Sequence, residues 1–158
     1  MGFFNKVKLI FSGAEGQAEA NIINALDHIS QQVRLKDMQK GDSGGLFWSF
    51  AYGIASTSYS AANPYAPDSD MIDKVFPLVR KVLEDYGLSG GGGHNSEVFM
   101  IGSRYMNGVI SHNKNIYMSA IDSMVLVIEQ NIPEKQDSTI NYIVISIFVA
   151  VTVLFMLN

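Results

Sequence analysis

The most hydrophobic stretch of the chain is 139–157, TINYIVISIFVAVTVLFML, and no charged residue follows Asp137. In a helix, about 19 residues rising about 1.5 Å each nearly match the ~30 Å hydrocarbon thickness of a bilayer. Apolar positions fall on every face, whereas a core helix of a globular domain usually keeps one polar face. We therefore predict a transmembrane helix, whose main anchoring side chains are Ile140, Tyr142, Ile143, Ile147, Phe148, Val151, Leu154 and Phe155.

A second helix is predicted upstream, over about 14–40. Ser12 and Glu15 form a capping-box pattern at its start, and Lys40 followed by Gly41 is typical of a helix end with a left-handed glycine. Apolar residues spaced four, three and four apart form a heptad seam along it. We expect this seam to pack inside the domain, although packing against another copy stays open. Its members are Ile22, Leu26, Ile29 and Val33.

The segment 46–62, LFWSFAYGIASTSYSAA, carries aromatic residues followed by small ones, and no charge occurs from Ser43 to Pro67. Small residues four apart allow close helix approach. This pattern predicts the central buried helix of the domain. A second membrane-embedded segment is the alternative, which its serine, threonine and tyrosine content disfavours.

Three further helices are predicted before the hydrophobic stretch. An amphipathic helix over 71–86 is interrupted near Pro77 and ended by Gly87, with an apolar side formed by Ile72, Val75, Val79, Val82 and Leu83. The segment 96–110 favours a helix, but Gly102 and Gly108 leave a short strand open. The last helix, 115–131, has an apolar stripe of Tyr117, Ile121, Met124 and Ile128.

These elements predict an all-α protein: a compact domain of five or six helices followed by one transmembrane helix. The helical domain covers 1–132, the charged linker 133–138, and the span 139–157. Within the domain, 1–11 has aromatic and basic residues that suit a lipid headgroup layer, or alternatively an element docked on the core.

The composition and charge of the chain limit the partners and the types of chemical site that we expect. A net charge of −4 disfavours nucleic acid as a partner, and the absence of cysteine excludes disulfides, thiolate metal sites and cysteine nucleophiles. His28, His94 and His112 are widely spaced and match no metal-ligand pattern, so neither a metal nor a cofactor is expected.

One short motif suggests catalysis. The pentapeptide 41–45, GDSGG, surrounds the nucleophile of chymotrypsin-like proteases. In those enzymes a long β-rich segment carrying the histidine and aspartate precedes the serine, whereas here helical sequence precedes Ser43. We therefore interpret it as a loop between helices. A hydrolase using Ser43 with His28 or His94 is the enzymatic alternative.

The glycine-rich stretch 90–93 lacks the Lys-Ser/Thr ending of a phosphate-binding loop and is expected to be a surface loop that can contact a partner. The start of the chain does not match a secretory signal peptide, so we expect the helical domain on the cytoplasmic side, or inside a virion.

Taken together, these features predict a non-enzymatic, single-pass membrane protein. Membrane lipid and protein partners are expected, with the chain a structural or adaptor subunit of a homo-oligomer or a larger membrane assembly, either cellular or viral. A lipid-binding or small-ligand domain built around 46–59 is a further alternative.

Overall fold

The computed structural model describes residues 13–42, 45–89 and 93–132. Within these ranges the protein is all-helical, with six α-helices, one π-helical turn at Met71–Val75 and no strand. The predicted span, the linker, the 1–11 segment and Ser43 lie outside the described residues. The helices are α1 Ala14–Ser30, α2 Leu35–Gly41, α3 Leu46–Ala62, α4 Phe76–Asp85, α5 Ser96–Ile110 and α6 Lys114–Asn131.

Helix α3 is the centre of the domain, as its sequence predicts. It packs against α1, α4 and α5, and its Phe47, Phe50 and Ile54 are completely buried. Two buried serines on α3 are hydrogen-bonded: the Ser49 hydroxyl accepts from an amide of the chain entering α5, and the Ser58 hydroxyl accepts from a side-chain amide on α1. Burial of a polar group is tolerated when it is paired in this way.

Two glycines set the crossing of α3 and α5. A methyl group placed on Gly53 would lie closer than 3.0 Å to the carbonyl oxygen of Phe99, and one on Gly102 would lie closer than 3.0 Å to that of Phe50. The two backbones therefore touch, which only residues without a Cβ atom allow. The glycines that weakened the helix prediction for 96–110 are the residues that pack it, and the strand alternative is wrong.

A tight turn joins α5 to α6. His112 has a positive φ of 54°, and the Asn113 amide donates to the Gly108 carbonyl at 2.8 Å. The Asn113 side chain caps α6 by accepting from the Ile116 amide at 3.3 Å. A methyl group on Gly108 would lie 2.6 Å from the Tyr117 amide nitrogen, so this glycine lets the two helices begin their antiparallel contact at once.

The helix predicted over 14–40 is broken, which corrects the sequence interpretation. Helix α1 ends at Ser30, Arg34 is extended with φ −64° and ψ 142°, and α2 then starts in a new direction. The break allows Met38 to be completely buried and brings Gly41 against Ile128 of α6. Gly41 is still helical and is not the left-handed residue that we predicted.

Helix α4 begins after the π-helical turn, close to Pro77. Proline cannot donate a hydrogen bond to the carbonyl four residues earlier, and the change in helical winding falls at this position. Gly87 ends the segment with φ 66°, as predicted. Ile72 was predicted on the buried side, but it lies within the π-helical turn and is 64% exposed.

The heptad seam, which runs along α1 and into the turn after it, lies in the core of the domain. Ile22, Leu26 and Ile29 are completely buried and Val33 is 6% exposed. Their neighbours come from α3, α4 and α6. The seam therefore presents little surface through which a second copy could contact it.

Candidate functional site

Four ring side chains from three helices form a cluster that reaches the surface, which we call the aromatic surface. Trp48 and Tyr52 lie on α3, Phe76 at the start of α4, and Phe99 on α5. The Phe76 ring meets both α3 rings edge to face, at 5.5 Å from Trp48 and 4.9 Å from Tyr52. The Phe99 ring lies 5.7 Å from Tyr52. These distances lie within the preferred range for aromatic pairs.

The sequence of α3 explains how these rings reach the surface. Trp48 and Tyr52 are four residues apart, so they lie on one flank of the helix and stack at 6.5 Å. The side of α3 that faces the core carries Phe47 and Phe50, which are completely buried. Partial burial raises the pKa of the Tyr52 phenol, which stays protonated at neutral pH.

The flanks of the aromatic surface are also apolar and accessible. Phe76 is 37% exposed. Ile72 lies one turn before Phe76 and is 64% exposed. Large apolar side chains in such a concentration are costly to leave in water, and aromatic residues are enriched at protein interfaces. The arrangement can bind another apolar surface.

A second concave feature, the polar cleft, lies between the start of α1, the end of α3 and the start of α4. Its volume is about 1110 Å³, and its polar lining includes Glu19, Tyr59, Asp70, Lys74 and Lys81. The Lys81 ammonium group donates to Glu19 at 3.0 Å. Four of the five charged residues that line the cleft, Glu19, Asp70, Lys74 and Lys81, are therefore paired with another residue of the lining.

Asp70 is the hub of the polar cleft. Its Oδ2 accepts from the Tyr59 hydroxyl at 2.8 Å and from the Lys74 ammonium group at 3.0 Å. The Tyr59 hydrogen bond, and then that of Lys74, lower the pKa of Asp70 below its ordinary value. The same contact with Asp70 raises the pKa of Tyr59 and of Lys74. The network ties the end of α3 to the segment that enters the π-helical turn.

This network predicts a pH-dependent contribution to stability. The pKa of Asp70 in the folded protein lies below the unfolded value of 3.8, so its stabilisation is present above pH 3.8 and is lost as pH falls through the folded value. Asp70→Asn should therefore reduce the difference in unfolding midpoint between pH 7 and strongly acidic solution, as measured by urea titration followed by circular dichroism.

Asp68→Asn is the control for that prediction, because Asp68 is an exposed carboxylate in the same loop. It should leave the acid dependence close to that of the wild type. An Asp70→Asn protein with an unchanged acid dependence would contradict the role given to this network.

The structure places the histidines of the hydrolase alternative in different surroundings. The Nδ1 atom of His28 lies 2.7 Å from the Asn24 carbonyl oxygen within α1. His94 is exposed just before α5, with its ring 5.9 Å from Phe99. Ser43, the proposed nucleophile of that alternative, lies outside the described residues.

The described residues contain neither a cluster of metal ligands nor a membrane-spanning helix. In the ranges 13–42, 45–89 and 93–132, no three potential ligands from histidine, aspartate and glutamate are grouped closely enough to hold a metal ion. None of the helices in these ranges combines the length and the hydrophobicity needed to span a bilayer.

Sequence reasoning found only part of the aromatic surface. The aromatic start of α3 was noticed, and its four-residue spacing is a usable signal for one flank. The contributions of Phe76 and Phe99 were missed, because they depend on how α4 and α5 cross α3. The Asp70 network was also missed, because the contact between Asp70 and Tyr59 depends on how the π-helical turn packs against the end of α3.

No protein-family model, curated protein or solved structure matches the chain. Its function is therefore inferred from its own residues. Of the two surface features, the polar cleft has most of its charged side chains paired with one another, whereas the aromatic surface retains exposed apolar area. The aromatic surface is the stronger candidate for binding.

Proposed function

We propose that the protein is a single-pass membrane protein whose helical domain acts as a structural or adaptor subunit of a larger membrane assembly. The assembly belongs to a cellular membrane or to the internal membrane of a virus. The observation that carries the adaptor role is the aromatic surface, where Trp48, Tyr52, Phe76 and Phe99 meet at the exterior.

The composition of that surface supports protein contact. Tryptophan and tyrosine are enriched among the few residues that dominate binding energy, because they bury much area with little loss of side-chain freedom. Phe76 and Ile72, one turn before it, supply exposed apolar area around them. A partner with a complementary apolar surface would remove these side chains from water.

The membrane part of the proposal is supported by the sequence of 139–157, which is uncharged and apolar on every face. The helical domain is placed on the cytoplasmic side, or in the virion interior. Lys135, four residues before the span, agrees with the enrichment of basic residues on the cytoplasmic side of membrane helices.

Photocrosslinking in intact membranes tests the adaptor role. A photoreactive amino acid is placed at position 76 of the full chain, and at position 65 in a control. Tyr65 is 97% exposed and makes no ring contact with another aromatic residue of the described ranges, so it samples chance collisions. We expect a discrete adduct from position 76, several times more abundant than any from position 65, because a bound partner lies against the aromatic surface.

The size of the complex in mild detergent gives a second measurement on the same sample. The adduct should correspond to a species larger than one chain, either a homo-oligomer or a complex with another protein. A stable monomer that yields equal, weak crosslinking from both positions would contradict the adaptor proposal.

A further inference from the structure

Helix α2 lies next to the point where the chain leaves the described domain. A methyl group on Gly41 would lie 3.0 Å from the Ile128 carbonyl oxygen and 3.5 Å from the Cγ1 atom of Ile132. Ile132 follows the end of α6 and is the last described residue. The C-terminal end of α2 is therefore packed against the part of the domain nearest to the linker.

The outer side of α2 is basic. Lys36 and Lys40, four residues apart, are both exposed and form no ion pair with any residue of the described ranges. The side chain of Arg34 is 73% exposed, although its Nε atom donates to Asp37 at 2.7 Å. Three of the 11 basic residues of an acidic chain thus fall within positions 34–40. Leu35, 43% exposed, adds an apolar side chain among them.

The acidic neighbours of α2 reduce this charge only in part. The carboxylate of Asp37 is engaged by Arg34. The carboxylate of Asp42 accepts hydrogen bonds from the backbone amides of Phe47 and Ser89. Glu129, near the end of α6, is exposed to solvent. The two lysines remain available to an external anion.

The length of the linker limits how far α2 can lie from the membrane. Residues 133–138 separate Ile132 from the predicted span, and six fully extended residues reach at most about 22 Å. The headgroup layer adds several ångströms on the outside of the hydrocarbon core. The end of the domain that carries α2 therefore stays within reach of the headgroups.

We propose that α2 is the surface through which the helical domain rests on anionic lipid headgroups, with Lys36 and Lys40 as the main contacts. This inference rests on the proposed function, since it requires 139–157 to enter the membrane. Basic side chains near a membrane surface are attracted to its anionic lipids over about a Debye length, ~8 Å at physiological salt. Contact at α2 would fix the orientation of the domain relative to the membrane.

Lysine footprinting of the wild-type full chain tests this orientation. The protein is placed in lipid nanodiscs of phosphatidylcholine alone or with phosphatidylserine added, treated with an uncharged acylating reagent, and analysed by mass spectrometry. An attraction of about 1 kcal/mol per basic residue predicts acylation of Lys36 and Lys40 about fivefold slower in the anionic discs. Lys114 is the control, because the 18 residues of α6 place it about 27 Å from the linker end.

Charge-reversal variants show whether the protection of α2 depends on its charge or only on its closeness to the membrane. The substitution Arg34→Lys provides a reporter amine next to Lys36 and Lys40. Adding Lys36→Glu and Lys40→Glu together should abolish the lipid dependence of its acylation. Adding Lys114→Glu instead should preserve that dependence. All substituted side chains are exposed, so folding is expected to be retained and is checked by circular dichroism.

The possible outcomes distinguish this inference from the function on which it rests. A chain that does not enter the nanodiscs contradicts both. A chain that enters them but shows equal acylation of Lys36 and Lys40 in both lipids overturns the α2 contact alone. Equal protection in detergent without lipid would show that a protein covers α2, and would also overturn it.

Discussion

Replacing Gly53 by alanine is expected to destabilise the helical domain by about 3 kcal/mol, at the upper end of the cost of overpacking. The added methyl group would lie closer than 3.0 Å to the Phe99 carbonyl oxygen, which is backbone and cannot rotate away. Helices α3 and α5 must separate, and the separation loosens the contact between Tyr52 and Phe99. Urea unfolding of the full chain in mild detergent, followed by circular dichroism, measures the change.

Two comparisons make this prediction specific. Gly13→Ala places a methyl group with no heavy atom within 4 Å, and its effect should stay below about 1 kcal/mol. Gly102→Ala should cost nearly as much as Gly53→Ala, but the double variant should cost less than the sum, because both methyl groups separate the same helices. Fully additive losses, or a neutral Gly53→Ala, would contradict the backbone contact between α3 and α5.

Introducing Lys at both Ile147 and Val151 is expected to prevent membrane integration. These positions lie near the middle of 139–157, where a lysine costs about 3 kcal/mol in an inserted helix, so the pair costs about 6 kcal/mol in addition to the lost apolar residues. Synthesis of the chain in the presence of microsomes, followed by sedimentation, should leave most of the double variant in the supernatant.

Ile147→Leu combined with Val151→Leu is the matched control. It changes the same two positions and keeps their hydrophobicity, so the chain should sediment with the microsomes as the wild type does. If the lysine variant sediments to the same extent as the leucine variant, the stretch 139–157 is not held by lipid.

The sequence was sufficient to predict the helical class and several helix boundaries. Helix α3 spans the residues that were predicted, and α6 begins one residue earlier than expected. In both helices, apolar residues repeat with the helical period, and polar or glycine-rich residues mark the ends. These signals depend only on local sequence. The interruption near Pro77 was predicted for the same reason.

The break between α1 and α2 could not be predicted from the local sequence. Gln31 to Arg34 contain no proline or glycine, so the pattern continues as a helix through them. The chain nevertheless turns at Arg34, because the turn allows Met38 to be buried and Gly41 to pack on Ile128. This gain comes from tertiary packing, which overrides helix propensity and has no signature in the segment itself.

Glycine provided a misleading signal in α5. Helix propensity scores Gly102 as unfavourable by about 1 kcal/mol relative to alanine. In the folded domain, however, that cost is offset by the close approach to Phe50 on α3. The benefit depends on Gly53 lying opposite, and a pairing of residues in two helices is not visible in either helix alone.

The candidate binding features also depend partly on local sequence and partly on tertiary packing. The Trp48 and Tyr52 flank can be seen in the sequence as a four-residue spacing, whereas the aromatic surface needs Phe76 and Phe99 from two other helices. The Asp70 network joins α3 to the π-helical turn through hydrogen bonds that form only when these two elements pack together. Sequence reasoning identifies residue types that can bind, and the fold decides which of them meet.

Extraction of native membranes with alkaline carbonate tests the membrane anchoring of the full chain most directly. This treatment releases proteins held at the surface by charge or by protein contacts, and retains those that a helix holds in the hydrocarbon core. We expect the wild-type chain to stay in the membrane pellet. Complete release into the carbonate supernatant would contradict the anchor, and with it the placement of the helical domain on a membrane.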